Sequence, residues 1–319
     1  MGEVKPCSAT QTAGQRPPFD TSRLRWHPMA LQILCRRRCM SHRGTLMAIY
    51  AHPDDESFGT GGTLALYAER GYRVVLVTAT KGEAGEIQDP TMQSDEPISE
   101  IRQRELKCAC EILGIEGPYY LGYRDSGMAG TPDNERPDSF LQADLDEATG
   151  RVVEAIRRFR PDVIVTFEPG GGYGHPDHVK ASVVATRAFH LAGDPARYAE
   201  QGLAPWQPKK LYYTALPRRM FRAMAQRMRE AGIDPAERGF NPEERGMPDE
   251  VISTEIDVSS VLDKKTRAFL CHRSQISPNG IIAQLPTEAM REFMKTEYFW
   301  RVVPEAPVEG IERDLFAGL

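Results

Sequence analysis

The chain lacks any apolar run near the roughly 18 residues that a membrane-spanning helix needs, so no transmembrane helix is expected. It also lacks a basic excess: 40 Lys and Arg against 45 Asp and Glu give a formal net charge of −5. Phosphate backbones demand a basic face, so nucleic acid is not an expected partner. The six cysteines (Cys7, Cys35, Cys39, Cys108, Cys110 and Cys271) show no disulfide-framework spacing. Reduced thiols and a cytoplasmic location are therefore expected. The dinucleotide fingerprint G-x-G-x-x-G is missing as well. Gly59-Thr60-Gly61-Gly62 has the wrong spacing, and His52 to Glu56 occupy the turn where the fingerprint would stand. These glycines are expected to permit close helix–sheet contact instead. What remains is an ordinary soluble composition, 40% hydrophobic and 27% charged over 319 residues.

Residues 1–44 differ from the rest. They carry Arg36-Arg37-Arg38, Pro17-Pro18, few acids and no sustained periodicity. They read as a disordered or loosely attached tail, although targeting segments share this composition. Met29, Met40 and Met47 all precede or open the first strand, so an over-long start would look the same.

Beyond the tail, short apolar runs alternate with helical patterns. Strands are expected at 46–50, 74–78, 119–121, 163–167 and 210–213, and helices at 59–70, 98–113, 140–160 and 179–191. Such alternation implies right-handed crossovers and a parallel sheet covered on both faces. The expected fold is α/β, a Rossmann-like three-layer sandwich with a mostly parallel central sheet and a C-terminal capping region. Residues 45–215 would form the catalytic core with the metal site. Residues 216–319, with helices at 218–231, 261–271 and 289–293 and an antiparallel edge strand at 251–258, would complete the same domain as a cap.

Two dense clusters follow two of these strands: Ala51-His52-Pro53-Asp54-Asp55-Glu56 and Gly174-His175-Pro176-Asp177-His178. Ligands in such sheets bind outside the C-terminal strand ends. His52, Asp55 and His178 form the two-histidine, one-carboxylate set of a catalytic Zn²⁺, and Fe²⁺ suits the same ligands. Asp54 is left as general base for a water molecule. His175 is a candidate acid or electrophile beside the oxyanion, Asp177 a partner keeping it charged, and Tyr173 a phenol at the same place. A single histidine of this kind is usually a satisfied core group; two clusters at strand ends are harder to explain so.

The two clusters resemble the signature motifs of the LmbE/PIG-L superfamily of zinc-dependent N-deacetylases over residues 45–190, with all six key positions matching. The resemblance implies zinc on His52, Asp55 and His178, Asp54 as base, His175 at the oxyanion and Asp177 orienting it. Segments 81–86, 124–131 and 171–174 resemble the mycothiol-pathway group within it. That implies sugar-hydroxyl contacts from Arg102 and Asp125, although Arg102 reads equally as a solvated helix residue. The match is loose past 215, notably at His272-Arg273-Ser274-Gln275. The expected function is deacetylation of a small N-acetylglucosaminyl-inositol-like molecule. The alternatives are an amidase cleaving a mycothiol-type thiol S-conjugate and, in another class, a non-catalytic sugar- or nucleotide-binding module. A homo-oligomer is compatible with the sequence.

Overall fold

The computed structural model describes residues 42–230, 232–277, 287–305 and 310–319. The expectations for residues 1–41 lie outside the described residues. A seven-stranded sheet has the order β3-β2-β1-β4-β5-β7-β6. Its parallel part comprises β1 (Thr45–Tyr50), β2 (Arg73–Thr78), β3 (Glu116–Tyr120), β4 (Val163–Phe167) and β5 (Lys210–Thr214). Helices α1 (Asp55–Glu69), α2 (Ile98–Leu113), α3 (Leu145–Phe159) and α4 (Pro176–Leu191) supply the crossovers. The central runs are buried on both faces, with Leu46, Met47, Ala48, Val75, Val77, Val163 and Ile164 in the core. This is why they read as unbroken apolar strings rather than alternating ones.

Strand order reverses between β1 and β4, which pair directly. The crossover from β1 leaves on one side and that from β4 on the other, so a crevice opens between their C-terminal ends. Both histidine clusters begin there.

Local chemistry sets the helix boundaries, and several differ from expectation. α1 begins at Asp55 rather than 59, so Gly59, Gly61 and Gly62 lie inside a helix. A Cβ on Gly62 would fall 2.6 Å from Val258, so this glycine allows the C-terminal segment to approach the helix closely. α3 begins at 145 rather than 140, because Asp144 caps it by accepting the Asp146 and Glu147 N–H groups. α4 starts at Pro176 with His175 as its cap. Proline costs nothing at the first helical position, where its missing N–H would be unpaired anyway.

The C-terminal region does more than cover the sheet edge. β6 (Thr254–Asp257) and β7 (Thr296–Val303) add two antiparallel strands, and β7 pairs with β5. β7 had no counterpart in the sequence reading, because Thr296–Val303 is mostly half-buried and its apolar alternation is weak. α5 (Arg218–Glu230) buries Met224, Ala225 and Met228 with Phe240 in a small separate cluster. α6 (Leu262–Cys271) packs on α1 and α2, and α7 (Thr287–Met294) precedes β7. A disulfide joins Cys108 on α2 to Cys271 on α6. The reduced-thiol expectation is thus corrected for this pair: the helices that carry them are far apart in sequence but adjacent in the fold. Cys110 remains a buried free thiol. No helix among the described residues is long and apolar enough to cross a membrane.

Candidate metal centre

The turn after β1 aims His52 and Asp55 at one point, and the first turn of α4 brings His178 to meet them. His52 Nδ1 lies 3.1 Å from His178 Nε2, His178 Nε2 lies 3.2 Å from Asp55 Oδ1, and His52 Nδ1 lies 3.6 Å from Asp55 Oδ2. Ligands about 2.0–2.2 Å from a tetrahedral ion stand roughly 3.3–3.6 Å apart, close to this spacing.

The hydrogen bonds behind each group decide which atoms are free. His178 Nδ1–H donates to the Gly171 carbonyl at 3.1 Å, which leaves a lone pair on Nε2. His52 Nε2–H faces Asp177 Oδ2 at 3.2 Å and Asp125 Oδ1 at 3.3 Å, leaving the lone pair on Nδ1. Asp55 Oδ2 accepts the Ala51 and His52 N–H groups, so Oδ1 is unengaged by the backbone. Two imidazole lone pairs and a carboxylate oxygen converging at this distance repel one another unless a cation lies among them. A carboxylate or carbonyl behind each buried imidazole is the ordinary outer shell of a metal site. The donor set fits a divalent ion. His175 also brings a nitrogen within 4.8 Å of those of His52 and His178, and Asp125 and Asp177 each bring a carboxylate oxygen within that distance of His52. These groups are already engaged: Asp177 accepts from the Ser126 N–H and hydroxyl, and Asp125 from the Gly127 N–H.

Asp54 stands beside this cluster. Its backbone lies at φ 123°, and its side chain makes no cap bond to α1. The carboxylate turns instead toward the cavity and Arg102, whose Nη2 lies 3.1 Å from Oδ2. Burial above all pushes Asp54 up to about 6, with Arg102 drawing it the other way. About 30% of its side-chain surface still faces the cavity. Asp55 behaves oppositely: burial opposes its charge, but His178 and His52 outweigh that and hold it below the usual carboxylate range.

His175 accepts the Asp177 N–H on Nδ1 at 3.1 Å. Its proton therefore resides on Nε2, and burial followed by the charges of His52 and His178 lowers its pKa to about 4. The expectation that the Asp177 carboxylate keeps His175 charged is corrected here. That carboxylate serves His52 and Ser126, and only the Asp177 backbone reaches His175.

Arg102 is 4% exposed, which removes the solvated reading. Besides Asp54 it donates to the Pro53 carbonyl at 2.7 Å and the Gly82 carbonyl at 3.3 Å. A Cβ on Gly82 would sit 2.2 Å from its Nη1, so glycine is needed there. Asp125 stands behind His52, its Oδ2 taking the Ala84 N–H. Tyr173 is 64% exposed at the rim, with its ring centroid 5.0 Å from that of His178.

These groups open into one cavity of about 460 Å³, lined by His52, Asp54, Arg102, Asp125, Tyr173 and His175. Glu86, Gln88, Met128, Asp133 and Gln275 form its outer wall. Sequence reasoning assigned no role to Ser126, Glu56 or His272. Ser126 lay in a segment already singled out, whereas His272 carried no local signal of where it would fold.

Fold and site define a hydrolase built around a buried His/Asp cluster able to hold a metal. The family model described as PIG-L, GlcNAc-PI de-N-acetylase, matches residues 47–189. A 1D-myo-inositol 2-acetamido-2-deoxy-alpha-D-glucopyranoside deacetylase from Catenulispora acidiphila is 40% identical over 288 residues, spanning 86% of this chain and 89% of the relative. One from Streptomyces avermitilis is 41% identical over 286 residues, spanning 86% and 97%. The fold is shared with N,N'-diacetylchitobiose deacetylase from Pyrococcus horikoshii, at TM-score 0.58 and 19% identity over 88% of this chain and 95% of that one. The chain belongs to the PIG-L family of de-N-acetylases, and it is a hydrolytic N-deacetylase.

Proposed function

We propose that this protein is a zinc-dependent deacetylase acting on a small N-acetylglucosaminyl-inositol-like molecule. The observation that carries the reading is the convergence of His52 Nδ1, His178 Nε2 and Asp55 Oδ1 with the Asp54 carboxylate beside them, held by Arg102. The names of the relatives support the substrate class. In this reading residues 45–215 carry the site and residues 216–319 complete the same domain.

His52, Asp55 and His178 would hold the ion, which when bound supplies Lewis acidity that polarises a carbonyl and acidifies water. Asp54, as carboxylate, takes a proton from the attacking water. The water oxygen bonds to the acetyl carbon, and His175 Nε2–H donates to the carbonyl oxygen as it gains charge. The C–N bond then breaks, and the proton held by Asp54 passes to the departing nitrogen, giving acetate and a free amine. Arg102 keeps Asp54 aimed at the cavity, and Asp125 and Asp177 fix the His52 tautomer. Tyr173 stands at the rim beside His175, and Arg102 and Asp125 offer polar contacts to sugar hydroxyls.

The test is metal analysis of the purified protein, followed by acetate release from 1D-myo-inositol 2-acetamido-2-deoxy-α-D-glucopyranoside. Zinc and stoichiometric acetate are expected. A mercapturate-type product from a thiol conjugate, with no acetate from the amino sugar, reassigns the substrate.

A further inference from the structure

Asp54 adopts φ 123° and ψ −28°, a conformation that L-residues rarely enter. Such a backbone persists only where its surroundings fix it. Arg102 does so from one side, through the Pro53 carbonyl and Asp54 Oδ2. From the other side the Asp54 N–H donates to Glu56 Oε2 at 3.1 Å.

Glu56 is itself held. It is 1% exposed, and its Oε1 accepts from His272 Nε2–H at 2.8 Å and from the Ser57 hydroxyl. His272 is also 1% exposed, and its Nδ1 has no hydrogen-bond partner among the described residues. Among the described residues the ring thus makes one polar side-chain contact, to Glu56. A buried imidazole with half its polar capacity unmet is costly, so packing alone does not explain it. The same segment braces the opposite support. Ser274 N–H and Oγ–H donate to Glu105 Oε1 and Oε2 at 2.7 and 2.6 Å, one helical turn from Arg102 on α2.

We infer that Glu56 and His272 are positioning residues for the Asp54 base: the segment that follows α6 reaches across the fold and, through the Glu56 carboxylate, fixes the backbone from which that base projects. This rests on the reading of Asp54 as general base. Neither Glu56 nor His272 lines the cavity, so substrate binding does not depend on them directly.

The experiment compares His272→Leu and His272→Gln with the wild type in acetate release from the amino sugar, with kcat, KM and bound metal measured for each. For His272→Leu, kcat is expected to fall about 10- to 100-fold, since displacement of a reacting group by about 1 Å costs this much. KM and metal content should stay near wild type. His272→Gln keeps an N–H near the place of Nε2 and should recover most of kcat. The inference is overturned if His272→Leu keeps kcat within about threefold of wild type, a loss too small for a displaced base. It is equally overturned if lost metal accounts for the whole decline, or if His272→Gln is no better than His272→Leu. Should His272→Leu not fold, Glu56→Gln decides on the same kcat, KM and metal criteria. A wild type that releases no acetate sinks the deacetylase reading; an active wild type with indifferent variants sinks the positioning pair alone.

Discussion

Arg102 Nη2 lies 3.1 Å from Asp54 Oδ2, and the two side chains share one wall of the cavity. Arg102 is buried rather than solvated, and it holds the carboxylate of the proposed base. The arginine also covers the strained Pro53–Asp54 turn, so one guanidinium serves both the backbone and the Asp54 carboxylate.

Asp54 and Asp55 should separate cleanly on mutation. Asp54→Ala is expected to lower kcat about 10²–10⁴-fold, the usual worth of a general base, while bound metal stays near wild type. Asp55→Ala should lose the metal, because Asp55 Oδ1 faces His178 Nε2 at 3.2 Å. Metal analysis beside turnover checks both. If Asp54→Ala strips metal as fully as Asp55→Ala, the two roles are reversed.

His175→Ala should lower kcat about 10²–10³-fold, the cost of one oxyanion donor, with KM and metal content little changed. In the proposed role the donor is the neutral ring, since Nδ1 is taken by the Asp177 N–H. A variant that keeps more than about a tenth of kcat passes the role to Tyr173, the other polar group near the same place.

Cys108 and Cys271 lie 163 residues apart, so their bond closes a long loop of the unfolded chain. Cys271→Ser should destabilise the fold by about 2–4 kcal/mol, and reductant should lower the Tm of the wild type but not that of the variant. Identical wild-type melting with and without reductant counts against the bond.

Glu312 accepts from Lys210 Nζ at 2.8 Å, Tyr212 OH at 2.7 Å, Thr254 Oγ1 at 3.0 Å and Arg301 Nη1 at 3.0 Å. Burial works to raise its pKa, but the Lys210 and Tyr212 hydrogen bonds and the nearby cations outweigh it and hold the carboxylate below its usual range. A carboxylate depressed in the folded state contributes stability above its unfolded pKa of about 4.3, lost as pH falls through the folded value. The Tm gap between wild type and Glu312→Gln should be widest near neutral pH and close on acidification. A gap that stays constant into acid means that Glu312 acts by shape alone.

The apolar runs at 46–50 and 163–167 and the two histidine clusters were legible from sequence because their information is local. A strand buried on both faces must be apolar throughout, and metal-binding chemistry restricts the residue types that can serve. Those two facts sufficed for the parallel sheet and for expecting both clusters at its C-terminal edge. β7 was not legible, because it lies half-buried beside β5 and its pattern depends on neighbours the local sequence does not show.

The sequence by itself determined which side chains could perform the chemistry and on which edge of the sheet they would gather. Only the tertiary structure decided how they are aimed. The Asp177 carboxylate serves His52, from which it is separated by 125 residues, while His175 takes only the Asp177 backbone N–H, and His272 meets Glu56 across 216. Cys108 finds Cys271 only because α2 and α6 pack together. Each of these contacts depends on distant segments being brought into register by the core, and no local spacing encodes that register.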